Sequence, residues 1–133
     1  MIRMHQLVVS AIIAGMSIGA MSSAPLRAAE QETVMVTLHA KPGAETELAN
    51  VLARHWETAK RLNLVMPATH VTLRGVESEN KTYFVEIFTW RDADIPDHAP
   101  ADIQAVWKEM NALVEKRDGQ PGLRFTEVTV VTS

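Results

Sequence analysis

No cysteine occurs among the 133 residues, which excludes thiolate metal sites, cysteine nucleophiles and any disulfide frame. An oxidising compartment therefore neither threatens nor staples this fold. Glycine is scarce, at six residues, and forms no glycine-rich phosphate loop; no nucleophile elbow is present either. Basic residues are outnumbered, with 13 Lys and Arg against 16 Asp and Glu for a net charge of −3. Without a basic array, a nucleic-acid partner is excluded. Aromatic side chains are few, with three Trp, three Phe and one Tyr. Where they fall is correspondingly informative.

Long apolar runs are absent except at the amino terminus, where Leu7 to Met21 carries no charge and follows Arg3. Small residues then lead to Ala28-Ala29, and residues 1–29 read as a signal peptide removed on export to the periplasm or beyond. The run is short for a permanent span, so no membrane association is expected after cleavage; an uncleaved anchor is the other reading. Loss of 1–29 removes two arginines and no acid, leaving a charge of −5 on the expected domain, 30–133. A domain of about 104 residues builds a modest core. Dimerisation would help it.

Thr33 to His39 alternates and is rich in β-branched residues, which is a strand pattern. Lys41-Pro42-Gly43 turns the chain, and Glu45 and Glu47 place negative charge where a helix macrodipole favours it. Leu48, Val51, Leu52, His55, Trp56, Ala59 and Leu62 then fall at helical spacing, predicting a helix from about Ala44 to Leu62 that Asn63 terminates. A second strand is predicted from Ala68 to Val76, with Val71 and Leu73 on one face and His70, Thr72 and Arg74 on the other. After a polar hairpin loop comes Tyr83 to Trp90, a strand whose residues are aromatic or β-branched apart from Glu86. Pro100 suits a helix start; Ile103, Val106, Trp107, Met110, Leu113 and Val114 supply its apolar stripe and Gly119 its end. Leu123 to Val131 reads as a last strand.

The order strand, helix, strand, strand, helix, strand predicts an α+β, ferredoxin-like βαββαβ fold. Its four-stranded antiparallel sheet has both helices on one face and the first and third strands in the centre. Along the third strand Thr82, Phe84, Glu86, Phe88 and Trp90 point one way and Tyr83, Val85, Ile87 and Thr89 the other. Neither set is polar enough to face water, so a second copy of the chain is the economical cover for the free face.

These residues resemble the antibiotic biosynthesis monooxygenase-like domains of the dimeric α+β barrel superfamily, over about residues 32–131. The resemblance rests on Lys41-Pro42-Gly43 before an acidic helix start, Phe88-Thr89-Trp90 ending the third strand, His98 leading into Pro100 to Trp107, and Pro121-Gly122-Leu123 before the last strand. It implies a homodimeric barrel with a pocket between sheet and helices for a small hydrophobic or aromatic molecule. It also implies either cofactor-independent oxygenation of small aromatics or quinols, or a non-catalytic periplasmic module binding a small ligand or haem. Trp90 is similar to the pocket tryptophan of oxygenating members, and His98 to the helix-opening histidine that ligates iron in haem-degrading relatives. The family's first-strand asparagine has no counterpart; that strand offers Thr37 and His39.

Outside the export segment four histidines remain, His39, His55, His70 and His98. A histidine on a strand or helix is often a hydrogen-bonded structural residue; one facing a carboxylate is a base. His55 lies on an apolar stripe that faces the sheet, opposite Glu86, making both candidates for proton transfer together with His98. Glu86 could instead pair with Arg74 or Arg124 across neighbouring strands; left unpaired and buried, it would protonate more readily. Trp90, His39, Phe88 and Trp107 are the candidate substrate-binding residues. Trp56 could also stack on a flat ligand. His39, His55, His70 and Glu86 are chemically able to hold a metal, but none shares a tight ligand spacing, so no metal site is assigned and no cofactor is expected.

Overall fold

The computed structural model describes residues 30–132. The expected export segment lies outside them. Strand β1 (Glu32–His39), helix α1 (Glu45–Arg61), strand β2 (Val65–Glu77), a 3-10 turn (Ser78–Asn80) and strand β3 (Lys81–Trp90) follow in order. A second 3-10 turn (Ile95–His98), helix α2 (Ala101–Ala112) and strand β4 (Leu123–Glu127) complete the chain. The four strands form one antiparallel sheet in the order β2-β3-β1-β4, with β1 and β3 central as expected.

The inner face of the sheet is a product of strict alternation. Val34, Val36 and Leu38 of β1 and Phe84, Phe88 and Trp90 of β3 are all buried, in one core with Leu48, Val51 and Leu52 of α1 and Ile103, Val106 and Met110 of α2. Each such side chain removed from water contributes roughly 1.5–3 kcal/mol. A turn fixes how α1 enters: Gly43 takes φ 89°, which a side chain would strain. Its backbone N–H donates to the Glu45 carboxylate at 2.9 Å. Asn63, at φ 59°, ends the helix as its left-handed preference predicts.

Three boundaries differ from the sequence reading, each for a tertiary reason. Strand β2 begins at Val65, and Pro67 is accommodated because the register to β3 slips between Val65 and His70, where no regular ladder bond is required of it. Helix α2 stops at Ala112, well before Gly119, because Val114 bridges to Ala40 and the Glu115 N–H donates to the His39 carbonyl at 2.9 Å. Gly119 serves instead with Asp118, both at positive φ, in the turn joining Arg117 to Gln120. Strand β4 ends at Glu127 because its pairing partner Val34 lies close to the start of β1. On the outer face Met35, Val85 and Ile87 are only partly covered and Val71 and Leu73 are exposed. Among the described residues no helix is long and apolar enough to cross a membrane.

Candidate functional site

Glu86 sits at the middle of β3 on the helix-facing side and is completely buried. A carboxylate there costs several kcal/mol unless it is hydrogen-bonded. Neither arginine supplies the bonds. Arg74 stands opposite Phe84 and lies over that ring at 5.6 Å, while Arg124 is on β4, beyond β1, and donates to Gln120 at 2.6 Å. Two imidazoles take their place: His55 Nδ1 of α1 is 2.9 Å from Glu86 Oε1, and His70 Nε2 of β2 is 3.0 Å from Oε2.

A third donor settles the protons of this cluster. The Trp107 indole N–H from α2 points at His55 Nε2 at 3.0 Å. An indole nitrogen only donates, so His55 Nε2 must accept and its proton must sit on Nδ1, aimed at Glu86. His55 is thereby held as a neutral imidazole in one tautomer. Burial pushes the Glu86 carboxyl up, and this is the largest single influence on it. The hydrogen bonds from His55 and then His70 outweigh it, holding the group below its ordinary value of 4.5. As a carboxylate Glu86 is acceptor-only, so His70 must also present a proton, on Nε2.

The cluster reaches the surface through His70, whose side chain is 22% exposed against 3% for His55 and none for Glu86. Its ring is stacked on Trp56 at 3.7 Å with the planes within 3°. Lys60 Nζ stands 5.6 Å from the Trp56 ring, and Thr72 Oγ1 lies 3.3 Å from His70 Nε2. Below, Phe88, Trp90 and Trp107 form an edge-to-face series at 4.9 and 6.1 Å, and Phe88 meets His55 at 5.6 Å. Such contacts fix the rings that fix the histidine.

Of the residues singled out from sequence, the fold gathers Glu86, His55, Phe88, Trp90 and Trp107. His39 is elsewhere, bonded to Glu77 at 3.2 Å at the far end of β1. His98 is exposed in the second 3-10 turn, preceding the helix rather than opening it. The residues do not fit a haem held by His98 in the slot between sheet and helices, because Phe88, Trp90 and Met110, each 1% exposed, fill that slot. Among the described residues no group of three or more His, Asp or Glu is arranged to hold a metal ion. His70 and Trp56 are the members that sequence reasoning underweighted. The available signal was that His70 alternates away from Val71 and Leu73. A depression of about 440 Å³ lies at the end of the sheet near Thr33, Met66, Thr89 and Val130, and none of the Glu86 cluster lines it.

No family model matches the chain, and no curated protein is detectably similar in sequence. Solved structures do share its fold. SnoaB, a cofactor-independent oxygenase from Streptomyces nogalater, matches at 20% identity over 79% of this chain and 97% of its own, with a TM-score of 0.58. An antibiotic biosynthesis monooxygenase matches at 16% identity over 77% of this chain and all of its own, with a TM-score of 0.56. The fold is therefore the antibiotic biosynthesis monooxygenase-like α+β fold.

Proposed function

We propose that the chain is an exported, homodimeric oxygenase of the antibiotic biosynthesis monooxygenase-like family, acting without a cofactor on a small aromatic or quinol. The observation that carries this reading is the buried carboxylate clasped by two imidazoles that contact Trp56 and Trp107, in a fold shared with a cofactor-independent oxygenase. A base at the cluster takes a proton from an acidic O–H or C–H of the substrate. The resulting anion passes an electron to O2, and recombination at carbon gives a hydroperoxide. Loss of water leaves a carbonyl, so one oxygen atom stays in the product and the other departs as water. The electrons come from the substrate, which is oxidised at that carbon.

Two further parts of the proposal rest on other observations. The Arg3 and Leu7–Met21 pattern supports export. The outer sheet face, with Val71 and Leu73 about half exposed beside Val85, Ile87 and Met35, supports a twofold contact with a second copy. Oxygen consumption over a panel of hydroquinones tests the chemistry: the wild type should exceed Glu86→Gln on at least one member. Equal rates for the two proteins on every member would sink the reading. Light scattering of the exported form should give twice the monomer mass, and a strict monomer would remove the dimer from it.

A further inference from the structure

We propose that His70 is the proton acceptor of this site through its Nδ1, and that Glu86, His55 and Trp107 are positioning residues that hold it in that tautomer. The role rests on the oxygenase reading above; the tautomer rests on the hydrogen-bond geometry around an ionised Glu86. The Trp107 indole N–H can only donate and so assigns the lone pair of His55 to Nε2. His55 then donates through Nδ1 to Glu86 Oε1, and His70 donates through Nε2 to Oε2. Each carboxylate oxygen and each of the other three ring nitrogens has a partner in this chain. His70 Nδ1 is the nitrogen left over, with no hydrogen bond recorded for it among the described residues.

His70 is also the member of the chain that solvent reaches, at 22% side-chain exposure. A base buried like His55 could not meet a substrate proton without displacing Trp107. The groups facing His70 are Glu86 from β3, Thr72 from its own strand, and Trp56 from α1 with Lys60 over the indole. None competes for Nδ1. In the step itself the O–H bond of a hydroquinone breaks, the proton moves to Nδ1, and the imidazolium so formed is stabilised by the Glu86 carboxylate across its Nε2–H, with the phenolate left to react with O2. This is a carboxylate and imidazole acting as a pair, in which the carboxylate orients the ring and need not take the proton.

Two measurements on the 15N-labelled protein and its variants test the assignment. Ring nitrogen spectra above neutral pH should show the unprotonated nitrogens to be His55 Nε2 and His70 Nδ1. A lone pair found on His70 Nε2 would overturn the proposal whether or not the protein consumes oxygen, and needs no variant that could misfold. Kinetically, His70→Ala should lose about 10²- to 10⁴-fold in kcat with KM little changed. Added imidazole should restore part of the rate. A His70→Ala protein as fast as an active wild type would overturn this proposal and leave the oxygenase reading standing. A wild type inactive on the whole panel would overturn the oxygenase reading, and the catalytic role of His70 with it.

Discussion

Two buried ionic clusters sit on this sheet, and they differ in how completely they are closed. At one end Arg117 of the loop after α2 donates to Glu77 at 2.8 Å, to Glu115 at 2.9 Å, and to the carbonyls of Ala40 at 2.7 Å and Thr82 at 3.1 Å. It ties β1, β2 and β3 to the loop, and its charge is matched by two carboxylates, leaving only Nε without a bond. At the centre Glu86 is matched by two imidazoles, one of which, His70, is partly exposed. The first arrangement fastens strands together. The second leaves one member open to solvent, and the proposed proton chemistry rests on that difference.

Removing the fastener should have the largest effect on stability. Arg117→Met leaves two partly buried carboxylates and two carbonyls without their donor, and about 3 kcal/mol should be lost in urea denaturation. The comparison would break if oxygen consumption per folded molecule also fell. Glu86→Gln should cost about 1.5–3 kcal/mol, because an amide nitrogen must then face one of the two imidazole N–H groups. Its signature is in pH. Glu86 ionises more readily folded than unfolded, so the stability from its charge is complete above 4.5 and is lost as pH falls through the lower folded value. Glu77, held down first by its bond from Arg117, acts in the same direction. The denaturation midpoint should therefore drop less steeply as pH falls below 4.5 in Glu86→Gln than in the wild type.

Smaller changes sharpen the contrast. Trp107→Phe removes the donor to His55 Nε2 while keeping an aromatic ring in place, and should cost about 1–2 kcal/mol. It should also let His55 exchange tautomers, visible as a second set of ring nitrogen signals; a single unchanged set would show that the indole bond does not fix the tautomer. Arg54 and Glu109 join α1 to α2 through two bonds at 2.7 and 3.1 Å, but both side chains are about half exposed. Arg54→Ala should leave the midpoint within error, since solvent screens such a pair.

Much of the fold was legible because its signals are local. Alternation in β1 and β3, the stripe on α1, and Asn63 as its end follow from side-chain period and backbone preference within a few residues. The end of α2 was misread for the converse reason: nothing near Gly119 tells that Val114 must reach Ala40. Part of the site was legible too, since His55 faces Glu86 as its position on the stripe implied. His98 resembles a site residue through its neighbours in sequence, and the structure places it exposed in the 3-10 turn, outside the Glu86 hydrogen-bond cluster.

The sequence by itself determined that there are four strands and two helices, the order of those elements, and that one strand carries a carboxylate on an apolar face. Only the tertiary structure decided what meets that carboxylate. The irregular register of β2 sets His70 opposite Phe88 and within reach of Glu86, while α1 and α2 bring His55 and Trp107 together from positions 52 residues apart. Hydrogen-bond partners are chosen by position in space to within a fraction of an ångström, and no pattern along the chain has that resolution.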